Sequence, residues 1–192
     1  MKPLFRQLGL TSAAGLLSLQ VWASSLPPEL RVALPTAALA GQAKLTFWGF
    51  EVYQASLWVA PGFAAGAYAD HGFALELVYL RDFSGADIAK RSLAEMARQG
   101  PLSTDQATRW GDQMRALFPN VKASDRLTGI HFSGVGARFV FNGQPLGSIP
   151  DAEFARRFFG IWLSPRTSEP KLRLALLQQV TPAATAEPAT TP

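Results

Sequence analysis

The plainest alternation of apolar and polar positions lies in the first half of the chain. Along Glu51 to Ala60, Tyr53, Ala55, Leu57 and Val59 share one side and Val52, Gln54, Ser56 and Trp58 the other, which is the two-residue period of a strand. Lys44 to Phe50 extends this character upstream, with Gly49 a natural place for a bulge or bend. After the Pro61-Gly62 break and a small-residue loop, Phe73, Leu75, Leu77 and Tyr79 mark a further strand that ends near Leu80. The period then lengthens. Ser84 or Asp87 opens a helix that runs to about Gln99 and stops at Gly100-Pro101. Ser103 with Gln106 three residues on is a capping-box pattern. The helix behind it aligns Ala107, Trp110, Met114 and Leu117 on one stripe before Pro119 ends it.

Extended segments return over Arg126 to Ser133 and Ala137 to Phe141. Asn142-Gly143 then supplies a hairpin turn, because both of its residues accept positive φ. Asp151 caps a helix with Phe154, Phe158, Ile161 and Trp162 along one side. Ser168-Glu169-Pro170 opens a last helix through Gln178, its proline tolerated in the first turn. Three strands, two helices, three strands and two helices describe an α+β domain whose mainly antiparallel sheet carries its helices on one face.

A chain of 192 residues suits one well-buried domain. Three regions are expected: a secretory signal over residues 1–23, a domain over 24–180, and a disordered tail over 181–192. Lys2 and Arg6 precede an apolar stretch from Leu8 to Leu19, and Val21-Trp22-Ala23 suits cleavage before Ser24. That stretch is short for a membrane span and interrupted by Thr11, Ser12 and Ser18, so no stable span is expected after cleavage. The address implied is export, to the periplasm. Ser24 to about Pro35 reads as a proline-marked lead-in, and the Thr-, Pro- and Ala-rich end cannot bury enough apolar surface to order itself.

The formal charge of +4 falls to about +2 without the leader. Its basic residues are scattered over helix faces, so no nucleic-acid partner is expected. With no cysteine, disulfides, thiolate metal sites and Cys nucleophiles are excluded together. His71 and His131 lie far apart in sequence with no cysteine beside them, so they are not expected to build a metal site by themselves, and no cofactor motif occurs. His131 reads as a strand residue on a half-exposed face. No serine sits in a nucleophile elbow, and Gly134-Val-Gly136 reads as a turn rather than a phosphate loop. Asp82, Asp87 and Glu95 read as a solvated helix face with capping. No catalytic residue is assigned.

Several strings in this order resemble the chalcone isomerase-like proteins, in particular their bacterial exported branch. They are Gly49-Phe-x-Val-Tyr53-x-Ala-x-Leu57, Leu77-x-Tyr79-x-Arg81, Trp110, Phe118-Pro119 and Asp125-Arg-Leu-Thr128. Phe141-Asn-Gly143 with Gly147-x-Ile149, and Phe158-Phe-Gly-Ile-Trp-Leu-x-Pro165, complete the set. The resemblance implies an open-faced β-sandwich, a large antiparallel sheet with helices packed on it and a cleft between them. Family members include enzymes that cyclise chalcones and others that bind fatty acids or lack catalysis. The catalytic members use a threonine where this chain has Phe47 or Trp48. They carry a tyrosine near the position of Ile88 and an asparagine near that of Glu95. Their strand arginine has only Lys44 as its nearest counterpart. No tyrosine follows Tyr79, so the tyrosine-assisted cyclisation site is absent.

The surplus of aromatic residues over titratable ones suits an apolar cleft. The expected role is a non-catalytic binder of a small hydrophobic or amphipathic carboxylate ligand. Tyr79 and Arg81 are the head-group candidates, with Tyr53, Trp48 and Lys44 nearby, since a strand-borne cation in a dry cleft holds a carboxylate strongly. The alternatives are an isomerase or lyase acting on a chalcone-like enone through other residues, and a protein-interaction module whose cleft its own side chains fill.

Overall fold

The computed structural model describes residues 26–180. The expected signal over 1–23 and tail over 181–192 lie outside the described residues. The elements run α1 (Pro28–Ala33), β1 (Ala38–Phe47), β2 (Phe50–Val59), a 3-10 turn (Ala65–Asp70), β3 (Phe73–Tyr79), α2 (Gly85–Arg98) and α3 (Thr104–Leu117). They continue with β4 (Arg126–Phe132), β5 (Gly136–Phe141), β6 (Gln144–Ile149), α4 (Ala152–Leu163) and α5 (Pro170–Leu176). The six strands form one sheet in sequence order, every neighbouring pair antiparallel.

Register decides which residues meet the helices. Leu57, Leu75, Gly129 and Phe139 lie side by side across four strands, as do Ala55, Leu77, Leu127 and Phe141. With period-two geometry these rows share one face. They pack with Met96, Trp110, Met114, Phe154, Phe158 and Phe159 into the main core. Gly129 makes that approach possible: a Cβ there would lie 3.0 Å from the Phe159 ring. The expected caps hold the helices in place. Ser103 and Gln106 form a reciprocal capping box at α3, and Ser84 accepts from the Asp87 N–H at α2. Asp151 joins two helices, accepting from the Phe154 N–H at 2.9 Å, the Trp110 indole at 2.9 Å and Arg109 at 3.0 Å. Burial pushes its carboxyl up, but these donors outweigh burial and hold it below the usual carboxylate range.

Three expectations of local structure need correction. The lead-in forms α1, whose Leu30 packs with Leu34 on Trp58, Ala74, Ile130 and Val140. The helices therefore occupy both faces of the sheet, with α1 alone on the second; Pro28 in its first turn suits a helix start. The loop after Pro61-Gly62 winds into a 3-10 turn, anchored by Tyr68 donating to the Arg156 carbonyl at 2.9 Å. The bend expected at Gly49, by contrast, is present as a two-residue hairpin, with Trp48 at φ 51° and Gly49 at φ 80°. Strand β1 begins at Ala38, ahead of the visible alternation, because small residues and a register shift between Leu39 and Gly41 blur its period.

Candidate functional site

A cavity of about 440 Å³ opens between the sheet and the helices at the end marked by the β1–β2 hairpin. This lies within the roughly 300–1,000 Å³ range of small-molecule pockets. Tyr53, Leu77, Tyr79 and Leu127 give its sheet side. Helix α2 contributes Ile88, Arg91, Ser92 and Glu95, and α4 contributes Phe158, Ile161 and Trp162. Phe47, Trp48, Phe50, Arg81 and Phe83 also line it, along with Glu169 and Leu172 near the start of α5. A second, shallower groove between α2 and α3 is lined mainly by alanines and leucines and gathers no convergent hydrogen-bonding groups.

The register sets the sheet side. Tyr53 on β2 lies directly opposite Tyr79 on β3, and their rings meet edge to face at 6.2 Å. The Tyr53 oxygen accepts the Trp162 indole N–H at 2.9 Å. That leaves the Tyr53 hydroxyl proton free to donate. Burial drives the pKa of both phenols upward, so both stay protonated in neutral solution. The site thus holds two neutral O–H donors in an apolar setting.

Its cations differ in their partners. Arg81 lies 5.3 Å above the Phe50 ring and 5.8 Å from that of Phe83. Among the described residues it has no carboxylate within ion-pair distance. Arg91 reaches the Phe47 ring at 5.9 Å and pairs with Glu95 at 2.7 Å. Arg98 approaches Glu95 from its other side at 3.5 Å. An arginine with aromatic neighbours and no carboxylate is the group best placed to take up an anion.

Four of the five residues expected at the site from sequence line this cavity: Tyr79, Arg81, Tyr53 and Trp48. Lys44 does not. It is exposed and ion-paired with Glu51 at 2.6 Å, because its pairing with Gln54 puts it on the sheet face opposite that of Leu45 and Tyr53, which line the cavity. Glu95 also departs from expectation, being buried in the cavity wall rather than on a solvated face. Asp87 keeps its capping role, accepting the Ser84 hydroxyl at 2.6 Å. His131 is buried, not half-exposed: it stacks on Phe73 at 4.7 Å, and its Nδ1–H donates to the His71 carbonyl at 2.8 Å. Arg138 lies over Phe132, away from the cavity. Sequence reasoning missed Arg91 and Glu95 as a site pair. Their four-residue spacing on α2 was the available signal.

Residues 19–178 match the family model described as chalcone isomerase-like. The chain belongs to the chalcone isomerase-like family. A Haemophilus influenzae protein described as uncharacterized is 30% identical over 139 residues, covering 71% of this chain. The chain spans 66% of that relative's length. The crystal structure of an Arabidopsis thaliana fatty-acid binding protein superposes with a TM-score of 0.55 at 10% identity, covering 74% of this chain and 87% of that one. At that identity the likeness is one of fold. It agrees with the open antiparallel sheet and packed helices of the chalcone isomerase-like architecture.

Proposed function

We propose that this chalcone isomerase-like protein is a non-catalytic carrier of an amphipathic carboxylate of the fatty-acid type, held in the cleft between sheet and helices. The observation that carries the reading is the cavity's chemistry: apolar walls, two protonated phenols and an arginine with no acidic partner among the described residues. Arg81 and Tyr79 take the head group, Tyr53 adds its free hydroxyl proton, and the rings of Trp48 and Phe158 shelter the chain. The fatty-acid binding protein of the same fold supports the ligand class. The absence of catalysis is supported by α2, which offers Ile88 and Glu95 where cyclising members carry a tyrosine and an asparagine. The reading includes export by the leader expected over residues 1–23.

Arg81→Ala tests the anchor. Charge-assisted hydrogen bonds contribute about 1.5–3 kcal/mol, so the affinity for a long-chain fatty acid should fall roughly 10- to 100-fold. Displacement of a fluorescent fatty acid at neutral pH reads this directly. Arg81 is exposed, so the variant should keep its thermal transition. Unchanged affinity in a folded variant would remove the head-group assignment.

A further inference from the structure

Three aromatic side chains at the β1–β2 hairpin are far more exposed than cavity lining requires. Phe47 is 50% exposed, Trp48 87% and Phe50 63%. Phe47 and Trp48 stack with centroids 5.8 Å apart and planes within 16°, which makes a flat two-ring edge. The backbone holds that edge outward at a cost. Trp48 has φ 51°, a left-handed conformation that disfavours a residue with a Cβ by about 1–2 kcal/mol. Asparagine or glycine is the usual occupant of such a turn. Two guanidinium groups lie against the rings, Arg81 over Phe50 and Arg91 over Phe47.

We propose that the hairpin tip Phe47-Trp48-Gly49-Phe50 is a docking wedge for an anionic phospholipid bilayer. The rings enter the interfacial zone, Arg81 meets a lipid phosphate, and the cavity mouth is brought against the membrane surface. An amphipathic ligand then passes between bilayer and cleft without crossing water. This function rests on the carrier reading above, because the same rings line the cavity.

Three observations favour a bilayer over a protein. Tryptophan and phenylalanine partition into the membrane interface. The rings stand out at a two-residue turn rather than forming a groove that a peptide side chain would fill. Arg81 lies against the Phe50 ring at 5.3 Å and has no carboxylate in ion-pair distance among the described residues, which leaves it for a phosphate when the rings are inserted. A second copy docked tip to tip would instead oppose arginine to arginine.

The chain has no cysteine, so single labels are unambiguous. Thr46→Cys places an environment-sensitive nitrobenzoxadiazole dye beside the tip. Val135→Cys places it on the β4–β5 turn at the opposite end of the sheet. The full chain is titrated with vesicles of equimolar phosphatidylcholine and phosphatidylglycerol containing no fatty acid. The label at 46 should brighten and shift to the blue while that at 135 stays flat, although both proteins carry the same N-terminal segment. Adding Trp48→Asn with Phe50→Thr to the 46-labelled chain should abolish the response. Asn-Gly suits the turn, and Trp48→Asn alone, expected to reduce the response, serves as the check should the double variant not fold. Equal responses at 46 and 135, no response at 46, or a response surviving the double variant would overturn the proposal. So would energy transfer between 46-labelled copies without vesicles, which would assign the tip to self-association. Fatty-acid binding by the unlabelled chain without vesicles is measured separately. Binding there without vesicle docking sinks only the wedge, whereas docking without fatty-acid binding sinks the carrier reading.

Discussion

The phenolic oxygen of Tyr53 accepts the indole N–H of Trp162 across 2.9 Å, joining β2 to α4 at the cavity wall. One atom thus serves fold and site together. It satisfies a buried donor on the helix, and the direction of that bond leaves the phenol proton available to a ligand.

Removing the acceptor should be felt in stability. Tyr53→Phe leaves the Trp162 N–H without its partner, at a cost of about 1–3 kcal/mol. Trp162→Phe is also expected to destabilise, and the two losses should not add. Urea unfolding of both single variants and the double should give a coupling energy of about 0.5–1.5 kcal/mol. Full additivity would mean that the bond contributes nothing.

Trp48→Asn should make the protein more stable. The substitution puts a residue that tolerates positive φ at a position now held by an exposed tryptophan. A gain of about 0.5–1 kcal/mol is expected, read as a higher urea midpoint at unchanged slope. A lower midpoint would show that the ring stack with Phe47 outweighs the turn strain.

His131 should make stability fall in weak acid. Burial lowers its pKa below the ordinary histidine value, against the smaller opposing effect of its bond to the His71 carbonyl. The unfolded chain therefore binds the proton more readily than the folded one. The contribution is fully present above the unfolded value of about 6.5 and is lost as pH falls toward the folded value, with a slope of at most ~1.4 kcal/mol per pH unit. Burial raises the Glu76 carboxyl, which acts in the opposite sense as pH rises from the usual carboxylate range. The comparison that isolates His131 is thus the pH profile of His131→Gln against the parent chain. Identical profiles would exclude the histidine as the source.

Glu95→Gln should tighten anionic ligands and leave neutral ones alone. The carboxylate in the cavity wall occupies Arg91 and Arg98 and opposes a second negative charge nearby. Relief of about 0.5–1 kcal/mol corresponds to roughly a two- to fivefold gain for a fatty acid. A fatty alcohol of equal length, titrated alongside, should bind as before. Equal gains for both would mean that the change acts through cavity shape.

The sequence by itself determined what is local. The alternation from Tyr53 to Val59 placed β2, the Ser103 and Gln106 pair opened α3, and Asn142-Gly143 turned β5 into β6, because each signal lies within a few residues of the backbone it governs. The family strings added the sheet and the cleft, and placed Tyr79 and Arg81 among the candidates. What the chain order did not contain was burial. Whether Trp48 points to solvent, whether Glu95 is enclosed, and whether Lys44 faces the cleft or Glu51 all depend on a turn, a strand's register or a neighbouring helix. The Tyr53 and Trp162 bond spans 109 positions, and no local pattern encodes a contact over that separation. Only the packing of α4 on the sheet brings the two together, and with them one wall of the cavity.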